Sequence, residues 1–191
     1  MSTGEWIGVA VVVLVALGWY LSYSAARLDR LHARVQGTLA ALDAQLVRRA
    51  EATLELVSSG AIDAATAFIL AGAASDSLAA AEQDDLDADL LRFGPERESA
   101  ESDLTDALVL ALTPEVLAEL SSKPGFGDDV VSRVKATGLR VQLGRRFHND
   151  AVTDVRRVRR KWVVRVFRLA GHAAMPRTVE FADELPPGLR A

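Results

Sequence analysis

The sequence predicts an all-α protein: an N-terminal transmembrane helix continuing into an antiparallel, up-down-up-down four-helix bundle. Three observations lead there. Ala and Leu, the strongest helix formers, number 32 and 26 of 191 residues, and aromatics are only 6%. Residues 6–26 carry no charged side chain. Beyond them, apolar residues recur every three or four positions in segments separated by Gly and Pro. The length suits one modest domain plus an anchor. Absence of Cys excludes disulfides, thiolate metal sites and cysteine nucleophiles.

The first element is WIGVAVVVLVALGWYLSYSAA, residues 6–26. Twenty-one residues at ~1.5 Å rise span roughly 31 Å, about the thickness of a bilayer's hydrocarbon core. Trp6 stands at one end and Trp19, Tyr20 and Tyr23 at the other, the places where aromatics anchor a helix at the two interfaces. Glu5 precedes the run, and Arg27, Arg30 and Arg34 follow it. The positive-inside rule then places residues 1–5 outside and the bulk in the cytoplasm. A cleaved signal peptide ending at Ser24-Ala25-Ala26 is the main rival reading, but its n-region would lack any positive charge. A buried core helix is the other, and a charge-free run this long argues against it.

The cytoplasmic bundle is predicted over 27–160. Its first helix, 27–58, places Leu28, Leu31, Val35, Leu39, Leu42, Leu46, Ala50, Leu54 and Val57 on one stripe, with Gly60 as a left-handed cap. The second, 62–92, is Ala-rich, with a weaker stripe of Ile62, Phe68, Ile69, Leu78, Leu86 and Leu90. Phe93-Gly94-Pro95 separates it from a third helix, 96–122, bearing Leu104, Leu108, Leu112, Val116 and Leu120. Thr113-Pro114 should break that helix, since Thr before Pro suits an N-cap and first position. Residues 123–127 read as a loop. Asp128 or Asp129 then caps a fourth helix with Val130, Val134, Val141, His148, Val152 and Val155 inward. The fourth helix must end near the anchor, so 161–191 is expected to be a membrane-proximal amphipathic segment and tail.

Charge is split along the chain. Residues 61–130 hold sixteen Asp or Glu and three Lys or Arg; residues 131–191 hold five and fourteen. The densest basic run is Arg156, Arg157, Arg159, Arg160, Lys161, Arg165 and Arg168, interleaved with Val155, Val158, Trp162, Val166 and Leu169 at helical spacing. This pattern suits an interfacial segment on anionic lipid headgroups, each basic residue contributing ~1 kcal/mol. A solvated face paired with the acidic middle is the plainer alternative. Nucleic acid is not expected as a partner, because a tethered bundle has poor access to it.

Catalytic patterns are missing. His32, His148 and His172 are far apart and match no metal-ligand spacing; His148 suits a satisfied core histidine. Gly125-Phe126-Gly127 lacks a phosphate-loop context and reads as a turn. Asp84, Asp85, Asp87 and Asp89 lack the Gly and closing Glu of a calcium loop. No cofactor, metal or enzymatic activity is predicted. Asp43, Arg48 and Arg49 interrupt the first stripe, and Arg145, Arg146, Asn149 and Asp150 the fourth, so the two sets are expected to pair across the bundle.

These residues carry a resemblance. Leu42-Asp43-Ala44-Gln45-Leu46-Val47-Arg48-Arg49 with Leu56-Val57 resembles the D-x-Q-L-x-R-R…L-V signature of the LemA family. Arg145-Arg146-Phe147-His148-Asn149-Asp150-Ala151-Val152 is similar to its R-R-x-Y-N-x-A-V motif, with His148 in place of Tyr. Met175-Pro176-Arg177 and Phe181 resemble its F-x-P-R…F ending. The resemblance implies a membrane-anchored antiparallel helical bundle facing the cytoplasm, with no defined biochemical activity. Asp43, Gln45, Leu46, Arg48, Arg49, Arg145, Arg146, Asn149, Ala151, Val152 and Pro176 would then be structural motif residues.

The expected role is a non-enzymatic adaptor or scaffold at a bacterial inner membrane, with lipid on the basic stretch and an unidentified membrane or cytosolic protein on the acidic 76–106 region. The alternatives are an accessory subunit of a membrane-stress or membrane-protease system and a structural homo-oligomer.

Overall fold

The structure, a computed structural model, describes residues 3–87, 92–122, 127–171 and 173–190. The described residues are helical or irregular and contain no strand. In chain order they form α1 (Thr3–Ser58), α2 (Ala64–Asp87), α3 (Pro95–Ala111), α4 (Pro114–Ser122), α5 (Gly127–Arg159), α6 (Trp162–Val166) and a 3-10 turn at Pro187–Leu189.

The apolar run and the first stripe form one unbroken helix of 56 residues. Every residue from Thr3 to Tyr20 is exposed, whereas Leu28, Val35, Leu39, Leu42, Leu46 and Ala50 are buried at the predicted spacing. A core helix of a soluble protein would bury that run. Gly60 ends the helix with φ +67°, a left-handed conformation that a Cβ would strain. Asp63 then caps α2, accepting the backbone N–H of Ala65 and Thr66 at 3.0 and 3.1 Å.

The predicted stripe of the second helix is corrected in part: Ile62 and Leu78 do pack against the core. Leu70, Ala74 and Ser77 face inward, while Phe68 and Ile69 are 82% and 61% exposed. In so Ala-rich a helix the large residues do not all mark the inner face, because small residues such as Ala74 and Ser77 share it with Leu70. Leu90, and the side chain of Leu86, lie outside the described residues. The third predicted helix breaks where expected: α3 ends at Ala111, and Thr113 caps α4, its hydroxyl accepting Val116 N–H at 3.3 Å. The predicted loop lies outside the described residues over 123–126, as does the Asp128 side chain; α5 starts at Gly127, ahead of its predicted cap. Val130, Val134, Val141, His148, Val152 and Val155 are all buried, as predicted.

Contacts between α1 and α5 form a ladder. Arg34 meets Asp154, Thr38 meets His148, Leu42 lies against Gly144 and Glu55 meets Arg133, so numbers rise on one helix as they fall on the other. Three apolar clusters lie along this ladder. Leu28, Val35, Val152, Val155, Val158 and Val164 form one near the exposed run. Leu39, Leu42, Leu46, Phe93, Val141, Val179 and Phe181 form the middle one. The largest, at the far end, gathers residues from α1 to α5 and Leu189.

Two expectations for the C-terminal part are corrected. The basic stretch is not one helix. α5 stops at Arg159, Lys161 is extended (φ −62°, ψ 134°), and α6 is five residues long. The β-branched Val163, Val164 and Val166 carry little helix propensity to bridge the turn. The tail also does not stay beside the end of α1. From Ala173 it runs back along α5, touching Arg159, Arg156, Asn149, Arg145 and Gln142 in that order. Leu189 finishes in the far cluster. Apolar Val179, Phe181 and Leu185 at alternate positions give an extended chain one buried face.

Candidate functional site

The end of α5 brings the basic turn to the level where the exposed apolar run stops. Val158 and Val164 pack with Leu28. A notch of about 60 Å³ is lined by Tyr20, Tyr23, Ser24 and Arg27 of α1 and by Val158, Lys161, Val163 and Val164. Around it Trp162 is 69% and Val166 65% exposed, beside exposed Arg160, Lys161, Arg165 and Arg168. Arg168 closes α6 in a left-handed conformation, φ 48°. The N–H of Leu169 reaches Val164 O and that of Arg168 reaches Arg165 O, the double bond of a Schellman cap. Of the predicted anchor residues, Trp6, Trp19, Tyr20 and Tyr23 are all exposed.

Two predicted basic residues serve the tail instead of the surface. Arg156 Nε donates to Pro176 O at 3.1 Å, and Arg159 Nη1 donates to the carbonyls of Ala173 and Ala174 at 2.9 and 2.8 Å. Arg157 faces Asp154 at 3.7 Å, an exposed pair worth little.

Pairing between the motif residues of α1 and α5 was expected; Arg49 and Arg145 instead take partners on α3 and on the tail. Those on α1 turn to α3. Arg49, 3% exposed, donates through Nη2 to Glu101 Oε2 at 2.6 Å and through Nη1 to Thr105 Oγ1 at 2.9 Å. Glu101, wholly buried, also accepts Ser77 Oγ at 2.7 Å and pairs with Arg97 at 3.1 Å. Arg97 reaches Asp43 Oδ1 at 3.1 Å and the carbonyl of Ser77. Two cations thus meet two anions beneath α2. Burial lowers the pKa of Arg49, and Glu101 opposes that shift. Leu46 is core, Arg48 is exposed, and the buried Oε1 of Gln45 has no partner.

Those on α5 hold the tail. Arg145 grips Asp183 with two bonds, Nε to Oδ2 at 2.7 Å and Nη2 to Oδ1 at 2.9 Å, and lies over the Phe181 ring. Asn149 Nδ2 donates to Val179 O at 3.1 Å while Val179 N–H donates to Asn149 Oδ1 at 2.9 Å. One side chain thereby supplies both halves of a strand-like pairing. From α3, Ser102 Oγ accepts Ala182 N–H and Thr105 Oγ1 donates to Ala182 O. Buried His148 touches α1 through Thr38 Oγ1 at 3.3 Å and the tail through Arg177 O at 3.4 Å. Desolvation lowers its pKa, the hydrogen bond to Arg177 opposing. Ala151 and Val152 are core; Pro176 is buried; Arg146 and Asp150 line an open groove with Asp183.

Among the described residues, no three acidic or His side chains gather as metal ligands. His172, the tip of the acidic run at Asp89 and the side chains of Asp84, Asp85 and Asp87 lie outside those residues. Sequence reasoning missed Ser77, Arg97, Glu101, Thr105 and Asp183. A signal existed for Arg97 and Glu101: with Leu104, Leu108 and Leu112 they continue the buried stripe of α3 at spacings of four and three. Compared with known proteins, the chain matches no family model, no curated protein and no solved structure.

Proposed function

We propose that this chain is a single-pass, membrane-anchored, LemA-like helical-bundle protein, a non-enzymatic adaptor at the cytoplasmic face of a bacterial inner membrane. One observation carries the reading. The fully exposed apolar run ends at the level of exposed Trp162, Val166 and the unburied cations of the basic turn. An apolar length followed by aromatics and arginines is the sequence of surfaces a bilayer and its anionic headgroups require. In this reading α1, α2, α3 and α5 run up, down, up and down. The α1–α5 contact ladder supports the opposite run of those two helices, and the pairs Asp43–Arg97 and Arg49–Glu101, whose numbers rise together, support α1 and α3 running the same way. A protein partner has a surface available on α2, where Phe68 and Ile69 are exposed along with Asp76.

The chain lacks Cys, so single cysteines report its orientation. In intact spheroplasts, Thr3→Cys should react with a membrane-impermeant maleimide and Ser122→Cys only after lysis. Carbonate washing should leave the protein in the membrane. Labelling of Ser122→Cys before lysis, or recovery of a polypeptide beginning at Arg27 outside the membrane, overturns the reading.

A further inference from the structure

We propose that the notch between α1 and the basic turn is a stoichiometric binding site for the phosphate of one anionic phospholipid. The inference rests on the membrane reading above and adds to it a defined site in place of diffuse attraction. Two cations from distant parts of the chain, Arg27 and Lys161, line the same cavity. Among the described residues neither has a carboxylate partner, and no Asp or Glu lines the notch. Cations on two residues that line one small cavity repel each other, and an anion bound there offsets that cost. Ser24, Tyr20 and Tyr23 also line it, and their side chains carry hydroxyls, donors of the kind phosphate oxygens accept.

Size and place narrow the ligand. The notch, about 60 Å³, has room for a small polar group such as a phosphate. Val158, Val163 and Val164 form an apolar wall. The notch face of α1, Tyr20, Tyr23 and Arg27, continues toward the N-terminus through exposed Ala16 and Val13, one helical turn after another. A phosphate in the notch therefore has an apolar track beside it for the acyl chain it carries. Free phosphate would use the cations and leave that track unused.

The test is native mass spectrometry of the full chain, released from nanodiscs of phosphatidylcholine doped with phosphatidylglycerol. One phosphatidylglycerol should stay bound per chain. Arg27→Gln with Lys161→Gln should weaken its retention about tenfold or more, since both cations meet one phosphate. Arg157→Gln with Arg165→Gln removes the same charge away from the notch and should keep the bound lipid. Excess inorganic phosphate should not displace it. Equal loss in the two double variants, retention in the first, or displacement by inorganic phosphate overturns the site. A chain that fails to enter nanodiscs at all would instead refute the membrane reading.

Discussion

The two halves of the helical body, near to and far from the exposed apolar run, are built on different plans. The far half buries residues of α1, α2, α3, α4 and α5 with Leu189 around a common centre. The near half has essentially two long helices. Its cluster comes from α1 and α5, with Val164 of α6. Two helices cannot bury each other on all sides. The near half is therefore closed by other means: side chains of α5 reach out to the backbone of the returning tail, and the basic turn folds over the α1 seam. Stability follows this division, because regions with fewer buried contacts open at lower free energy. The weaker half is the half next to the proposed bilayer, where lipid can supply what protein does not.

The largest effect is expected on the far side. Glu101→Leu would leave Arg49 and Arg97 buried without their shared anion. That should cost about 3–5 kcal/mol, read as a lower urea midpoint of the full chain in neutral detergent. Arg49→Met, Arg97→Met and Glu101→Leu together should recover most of the loss, since no charge then stays buried. A loss below about 1 kcal/mol in the single variant would show the cluster to be wetter than the fold has it.

Two leucines test the halves directly. Leu28 and Leu56 are each 1% exposed, one in each half. Leu56→Ala opens a cavity walled by several helices and should cost about 3–4 kcal/mol. Leu28→Ala opens one that a helix pair can collapse around, and should cost about 2 kcal/mol. Equal losses would mean that the near half is as rigidly enclosed as the far half.

Next in size is the tail. Asn149→Ala removes both bonds to Val179 and leaves a buried-side backbone pair unmet, about 1–3 kcal/mol. Hydrogen exchange should rise over 174–186 and stay unchanged over 46–57. If both regions accelerate together, the tail is part of one cooperative core and the two-plan description fails.

How much of this was legible before folding depends on what each residue had to contact. The stripes of α1 and α5 were readable because the two long helices run against each other along most of their length, so burial repeats with helical period. Gly60 and Thr113-Pro114 were readable because their effect is local backbone geometry. The inner face of α2 was not, because Ala74 and Ser77 bury through closeness, a property of the neighbours. The polar motif residues announced themselves as exceptions to the stripes, yet their partners did not. Arg49 and Arg145 sit on inward faces, and only the placement of α3 and of the tail decides that one meets Glu101 and the other Asp183. The tail hid best: alternation over 179–185 is too short to outweigh the prolines and the basic run before it.

The mildest probe is pH, and it separates the halves in sequence. Burial holds His148 below its usual value of 6.5, so the folded state resists its protonation. A depressed folded pKa contributes stability fully present above the unfolded pKa and lost as pH falls through it toward the folded one. Acidification from about pH 7 to 5 should therefore act first on the contacts of His148 with Thr38 and with the tail at Arg177. The far half carries lowered carboxylates at its caps. Asp63, bonded to Thr66, lies below 3.8, and Glu115, bonded to Thr113, lies below 4.5. Their contribution persists until pH falls through those values and is lost beneath them. Exchange measured at residues 35–39 and 174–179 should rise in the first window, with 64–70 and 114–120 following only in the second. His148→Gln should flatten the first step and leave the second in place. A single transition at all four segments would mean that the two plans unfold as one.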